Sequence, residues 1–181
     1  MHASGRIGEG SVTFDEFLDL HLPALGNYAG VLAGDRQAAH DVLVDALITV
    51  QLRWDRIGRM ASPAGYARRV ITTTFLDARR TAARRRTFST NEPPERLHHD
   101  DGPSRVDDRD QLADMLDGLP DRQRAAVVLR FYLDLPDEEI AAALDCSKGA
   151  VRTLISRGLQ QLRAVVQASG PSQPRVGRHQ P

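Results

Sequence analysis

One segment near the C-terminus, Asp137 to Arg157, constrains the fold more than any other part of the chain. Its apolar residues fall where two short helices joined by a tight turn must cross, which is the pattern of a helix-turn-helix. Polar and basic residues recur every four positions on the opposite face of the second helix, so that face suits a DNA major groove. The inward set is Ile140, Ala141, Leu144, Cys146, Val151 and Leu154, and the outward set is Lys148, Arg152 and Ser156.

The residues around the turn agree with this interpretation. Pro136 suits a first helical position, Ala141 is small enough for a close helix crossing, and Ser147 is a good N-cap for the second helix. Asp145 falls where the chain leaves the first helix in a left-handed conformation, which glycine prefers and aspartate tolerates at some cost. The same residues also fit an ordinary helical hairpin in an all-α core, so this segment alone leaves both interpretations open.

The composition is that of a globular protein without a membrane span. With 181 residues, of which 41% are hydrophobic, the chain is long enough for one medium domain or two small ones. The sequence contains no run of about twenty apolar residues, and its N-terminus lacks the apolar core of a signal peptide. We therefore expect a cytoplasmic protein with no membrane insertion.

The sequence predicts no metal site, no cofactor and no enzymatic activity. Cys146 is the single cysteine, which excludes an intramolecular disulfide and a multi-cysteine metal site. The run from His98 to Asp101 offers metal-ligating side chains, but it lies between prolines and no second cluster completes a coordination shell. The sequence also lacks a nucleophile elbow, a phosphate-binding glycine loop and paired catalytic carboxylates.

Charges are balanced overall but strongly separated along the chain. Lysine plus arginine and aspartate plus glutamate both number 24, so the formal net charge is zero. Residues 66–86 hold seven arginines against Asp77 alone, whereas residues 91–117 hold nine acids against three arginines. Uncompensated arginines repel one another, which favours a polyanion as their ligand over a merely solvated basic face.

Capping signals predict an all-α first domain over residues 13–87. Thr13 and Glu16 form a capping box, and the helix that they start is expected to be interrupted near Pro23. A second helical piece is then expected to run to about Ala33.

Two further helices complete this domain. Gly34 and Asp35 turn and cap the first of them. Its apolar stripe is Ala39, Val42, Leu43, Ala46, Leu47 and Val50, and Trp54 and Ile57 close its end. Ser62, followed by Pro63, starts a basic helix that is expected over residues 64–85.

The chain then divides. Residues 88–108 are polar, contain three prolines and show no helical or strand period, which predicts a flexible acidic linker. Residues 109–168 are expected to form a second domain of four helices that ends in the helix-turn-helix. Its first two helices are marked by Leu112, Met115, Leu116 and Leu119, and then by Pro120, Ala126, Leu129 and Leu133. Residues 1–12 and 169–181 are expected to be disordered.

Several motifs resemble the extracytoplasmic-function (ECF) group of the sigma-70 family of RNA polymerase sigma factors. The stretch Ala39 to Asp45 resembles the family's polymerase-docking segment in conserved region 2. Pro63 to Arg69, followed by Asp77, resembles its promoter-melting helix. The segment that begins at Leu119 resembles region 4 almost throughout and reads LPDRQRAAVVLRFYLDLPDEEIAAALDCSKGAVRTLISRGLQQLR. The string from Leu52 to Ile57 further resembles a SigE-like subgroup that is abundant in actinobacteria.

The resemblance implies a protein that binds bacterial core RNA polymerase and reads a promoter with both domains. Its implied partners are the clamp of the beta-prime subunit, the beta flap, promoter DNA and, in many family members, an anti-sigma factor. The residues implied for clamp docking are Asp41, Val44 and Asp45. Those implied for opening the −10 element are Tyr66, Arg68, Arg69, Thr73, Asp77, Arg79 and Arg80. Those implied for reading the −35 element are Ser147, Lys148, Arg152, Thr153, Ser156 and Arg157.

Two positions depart from the family pattern. Val44 replaces a usual glutamine in the docking segment, and Thr73 replaces a frequent asparagine in the melting helix, so each loses an amide that both donates and accepts hydrogen bonds. Tyr66 fits either a base-stacking residue or a core residue spaced with Val70. Asp41 and Asp45 fit either an interface or an ordinary exposed helix face.

A stand-alone helix-turn-helix regulator is the rival function. Such a regulator would share the C-terminal helix-turn-helix. In a two-domain regulator the other domain is a receiver domain, which requires alternating strands, and no run with a strand period precedes residue 90.

Overall fold

The computed structural model describes residues 12–88 and 115–168, and the side chains of residues 12–85 and 115–167. These parts are helical and contain no strand, which confirms the all-α prediction. The helices are α1 (Phe14–Ala33), α2 (Arg36–Gln51), α3 (Trp54–Ile57), α4 (Pro63–Phe88), α5 (Asp121–Phe131), α6 (Asp137–Leu144) and α7 (Lys148–Ala168). The expected disordered termini and acidic linker lie outside the described residues, apart from Val12 and Phe88.

Helix α1 begins as predicted but is not interrupted. Thr13 N donates to Glu16 Oε2 at 2.8 Å and Glu16 N donates to Thr13 Oγ1 at 3.2 Å, which completes the capping box. The predicted break near Pro23 is wrong, because one helix runs through it. Pro23 and Asp19, whose carbonyl loses its helical donor, are both exposed, so water can satisfy that carbonyl.

The first domain packs α1, α2 and α4 around one core. Its buried side chains include Phe17, Leu25, Leu32, Val42, Ala46, Val50, Ile71 and Phe75. Tyr28 and Thr72 share a buried hydrogen bond of 2.7 Å, and the Thr72 hydroxyl also lies 2.8 Å from the Arg68 carbonyl oxygen. Trp54 and Ile57 form the short helix α3 rather than the end of α2.

The second domain packs α5, α6 and α7. Leu116, Leu119, Val128, Leu129, Ile140, Leu144 and Val151 are buried in it. Pro120 and Pro136 are the N-cap residues of α5 and α6. Pro136 was predicted to be the first helical residue, but α6 begins one residue later, at Asp137. Residues 115–117 form the described end of the preceding helix.

The two domains touch through a buried arginine. Arg124 on α5 is 0% exposed, and its Nη1 lies 3.4 Å and 3.3 Å from the carbonyl oxygens of Leu32 and Ala33 at the end of α1. Its Nη2 donates to Asp117 Oδ1 at 2.6 Å. Its Nε has no hydrogen-bond partner among the described residues, and such a buried donor costs about 1–3 kcal/mol.

Candidate nucleic-acid interface

The helix-turn-helix is built by α6, α7 and the turn between them. Asp145 adopts the predicted left-handed conformation, with φ 48° and ψ 61°. Cys146 N donates to the Ala141 carbonyl at 3.0 Å, and Ala150 N donates to Ser147 Oγ at 3.2 Å, so Ser147 caps α7 as predicted. The turn therefore fixes the direction in which α7 leaves α6.

A glycine that the sequence reasoning missed sets the approach of α7 to α5. A Cβ at Gly158 would lie 2.8 Å from Val127 Cγ2, which is too close for ordinary contact. Gly158 is buried. The sequence signal that could have identified Gly158 is a glycine in the interior of a predicted helix, where glycine is otherwise unfavourable.

The predicted −35 residues share one exposed surface. Ser147, Lys148, Arg152, Thr153, Ser156 and Arg157 are all exposed at the start of α7 or along it. Thr153 Oγ1 donates to the Gly149 carbonyl at 3.0 Å, so its proton is engaged within the helix. The structure therefore brings these six residues together and leaves mainly cationic and hydroxyl groups facing outward.

Two residues of this surface, Lys148 and Arg152, form ion pairs with acidic residues of α6. Lys148 pairs with Glu138, and this contact lowers the pKa of the Glu138 carboxyl. Arg152 Nε donates to Asp137 Oδ2 at 2.8 Å, while Asp137 Oδ1 pairs with Arg130. Since Asp137 engages Nε, the terminal nitrogens of Arg152 are left for a ligand, and its side chain is 73% exposed.

The predicted −10 residues follow α4. Arg69, Thr73, Asp77 and Arg80 are exposed, whereas Tyr66, Arg68 and Arg79 are half-buried. Arg80 pairs with Asp77 at 3.0 Å, and Arg79 Nε donates to Asp121 of the second domain at 2.8 Å. Arg69 and Arg80 are thus the predicted cations whose side chains are most open to solvent.

Tyr66 lies at the edge of the core, as one of the two interpretations of this residue predicted. Its ring packs against the core, while its hydroxyl lies 3.5 Å from Arg53 Nη1. The hydrogen bond with Arg53 lowers the pKa of the Tyr66 phenol. Thr73 Oγ1 donates within α4, to the Arg69 and Val70 carbonyls at 3.2 Å and 2.9 Å, so only its oxygen remains for a ligand.

The predicted docking residues lie on the outer face of α2. Asp41, Val44 and Asp45 are exposed, and Gln37 Nε2 donates to Asp41 Oδ1 at 2.8 Å. An exposed apolar row, which the sequence reasoning missed, continues from Val44 at 39% exposure to Ile48 at 50% and Leu52 at 82%. Acidic and apolar groups therefore lie side by side.

Comparison with known proteins assigns both domains. The family model for Sigma-70 region 2 matches residues 17–85, and the model for Sigma-70 region 4 matches residues 109–162. The RNA polymerase sigma-E factor of Streptomyces avermitilis is 35% identical over 150 residues, which are 83% of this chain and 83% of that protein. The chain belongs to the sigma-70 family.

Other relatives place this sigma-70 protein in the ECF group, as the motifs predicted. The ECF RNA polymerase sigma factor SigE of Mycolicibacterium smegmatis is 34% identical over 161 residues, covering 83% of this chain and 60% of that protein. The fold is similar to that of the sigma factor RpoE of Bartonella quintana, solved with the anti-sigma factor NepR. That likeness has a TM-score of 0.66 at 21% identity and covers 87% of this chain and 98% of RpoE.

Across residues 12–88 and 115–168, none of the helices combines the length and the hydropathy that a membrane span requires. The match to region 2 also disfavours the stand-alone regulator, because that alternative accounts only for the C-terminal reading head.

Proposed function

We propose that this sigma factor binds bacterial core RNA polymerase and directs it to promoters with a −35 and a −10 element. The observation that carries the proposal is one chain with an acidic and apolar docking face on α2, a basic α4 and a helix-turn-helix with an exposed basic α7. The domains proposed for these tasks are residues 13–87 and 109–168, joined by residues 88–108. Because the polymerase performs the reaction chemistry, the protein is proposed to need no catalytic group or cofactor of its own. Its proposed location is the cytoplasm.

Docking is proposed to use the outer face of α2. Asp41 and Asp45 would meet basic groups of the polymerase clamp, and Val44 and Ile48 would be buried against its apolar groups. An apolar contact at Val44 compensates for the amide that this position lacks.

Promoter opening is proposed to use α4. Arg68, Arg69 and Arg80 would hold separated phosphates, and the partly exposed ring of Tyr66 would stack on an unpaired base. Thr73 would accept a hydrogen bond from a base, and Asp77 orients Arg80 through their ion pair. Arg79 joins this set when its contact with Asp121 opens.

Reading of the −35 element is proposed to use α7. Lys148 and Arg152 would contact base edges or phosphates in the major groove, with Ser147, Thr153, Ser156 and Arg157 beside them. The second domain would also contact the beta flap, and an anti-sigma factor is a further proposed partner, because the similar RpoE was solved with one.

In vitro transcription with core polymerase on a promoter library tests the proposal. Chain-dependent start sites, each preceded by two shared short elements, are the expected result. Transcripts should fall with Arg152→Ala, which tests the reading of the −35 element. They should also fall with Ile48→Ser, which tests docking on the polymerase. Specific DNA binding without any chain-dependent transcript would instead identify a stand-alone regulator.

A further inference from the structure

The helix-turn-helix carries more acidic than basic side chains, although it holds the surface proposed to contact DNA. Over residues 137–157 the acids are Asp137, Glu138, Glu139 and Asp145, and the bases are Lys148, Arg152 and Arg157. Four acids against three bases give this segment a formal net charge of −1. Attraction between cations and phosphates supplies most of the affinity for DNA of unrelated sequence. The state of these few cations therefore decides how strongly the segment binds such DNA.

Two of the three cations are paired within the protein. Lys148 Nζ lies 2.5 Å from Glu138 Oε1, and Arg152 Nε donates to Asp137 Oδ2 at 2.8 Å. Both acids lie in the first turn of α6, and both cations lie in the first two turns of α7. The turn between the helices thus places one carboxylate against each cation.

The two acids differ in what happens to them when their cation moves to DNA. The Asp137 side chain is 17% exposed and also pairs with Arg130, so it keeps a cation when Arg152 moves. The Glu138 side chain is 60% exposed, and its ion pair is with Lys148. When Lys148 leaves for a phosphate, the Glu138 carboxylate takes up a cation from solution. This uptake offsets the release of a counterion from the DNA, which is what drives phosphate binding.

We propose that Glu138 is a specificity-determining residue, which competes with DNA phosphates for Lys148 and so suppresses binding to DNA of unrelated sequence. The proposal deepens the proposed function, from which it takes only the role of Arg152. Binding to unrelated DNA relies on phosphate contacts and requires Lys148 to leave Glu138. Binding to the −35 element relies on Arg152, whose terminal nitrogens can reach a base while Nε stays on Asp137. Glu138 therefore weakens the first kind of binding more than the second.

Binding of the full chain to duplex DNA tests the proposal by fluorescence anisotropy at several salt concentrations. Glu138→Gln should raise the affinity for a scrambled duplex about threefold to fivefold, which is the effect of losing an exposed ion pair. It should also steepen the slope of log affinity against log salt by about 0.9, because one more counterion is released. The gain on a duplex with the −35 element should be smaller.

Glu139→Gln is the matched control for the loss of one negative charge. Glu139 is an exposed acid in the same turn of α6, whereas Lys148 and Arg152 are paired with its two neighbours. Equal affinities and equal salt slopes in Glu138→Gln and Glu139→Gln would overturn the proposal. Since the scrambled duplex contains no promoter element, failure of the proposed function would appear separately, as the absence of chain-dependent transcripts.

A double-mutant cycle with Lys148→Gln identifies the cation that Glu138 controls. In the parent chain this change should leave the affinity for the scrambled duplex nearly unchanged, because Glu138 already occupies Lys148. In the Glu138→Gln background the same change should abolish the gain in affinity and the steeper salt slope. Losses of equal size in both backgrounds would show that the two residues act independently, which would refute the proposal. Both side chains are more than half exposed, so the variants should keep the circular dichroism of the parent.

Discussion

Asp137 Oδ2 accepts a hydrogen bond from Arg152 Nε at 2.8 Å, so a residue of α6 sets the direction of a side chain on α7, the helix proposed to read the −35 element. The other oxygen of Asp137 pairs with Arg130, whose Nη1 donates to the Leu135 carbonyl at 2.7 Å. Arg130 therefore holds the Asp137 carboxylate through one oxygen, and the other oxygen of Asp137 positions Arg152.

Asp137→Asn should reduce selectivity for the −35 element while raising affinity for unrelated DNA. The variant removes a negative charge near the phosphates and loosens Arg152, which is the group proposed to read sequence. Fluorescence anisotropy with specific and scrambled duplexes measures both affinities. Glu139→Gln, which removes a neighbouring exposed acid, should change the two affinities by the same factor.

Arg152→Ala should weaken specific −35 binding by about 1–3 kcal/mol if the side chain contacts a base. The same duplexes give this number, and run-off transcription gives promoter selectivity. Unchanged selectivity would exclude a base contact by Arg152.

Gly158→Ala should destabilise the second domain by about 1–3 kcal/mol, because the new methyl group meets Val127 at 2.8 Å. Gly149→Ala is the matched control. Its Cβ would meet only Ser147 Oγ at 3.8 Å, so the gain in helix propensity should leave stability unchanged or higher. Urea unfolding followed by circular dichroism compares the two, and equal effects would contradict the packing argument.

Tyr28→Phe should cost about 0.5–1.5 kcal/mol near neutral pH, because it removes the buried hydrogen bond with Thr72. Burial raises the pKa of Tyr28 above its ordinary value of 10.0. As the pH rises, the unfolded chain therefore loses the Tyr28 phenol proton at a lower pH than the folded chain does. The contribution of the protonated Tyr28 to the free energy of unfolding is complete below about pH 10 and declines as the pH rises beyond it. Denaturation between about pH 8 and about pH 11 should therefore show a weaker alkaline loss in Tyr28→Phe than in the parent.

Ile48→Ser should weaken binding to core polymerase without loss of folding, since half of this side chain is exposed. Complete burial of an isoleucine side chain contributes about 1.5–3 kcal/mol. Because Ile48 is already half-buried in the free protein, the variant should lose only a part of this amount in binding free energy. Leu20→Ser, an exposed apolar position on α1, is the control. Equal core affinity in both variants would place the docking face elsewhere.

Local signals in the sequence predicted most of the helices. The capping box at Thr13, the cap at Ser147 and the left-handed Asp145 each depend on neighbours within a few residues, and the structure has all three. Pro23 misled the prediction because packing on both sides of it outweighs one lost hydrogen bond. Arg124 was missed because its α1 partners lie 91 and 92 positions away in the sequence.

The position of the single tryptophan has a practical consequence. Trp54 packs against Phe14 and Phe17 of the first domain, and its Nε1 donates at 2.9 Å to the carbonyl of Val12, just before the first residue of that domain. Its emission therefore reports the unfolding of one domain in the intact chain. Comparison with a signal from the whole backbone would reveal whether the two halves melt together or in succession.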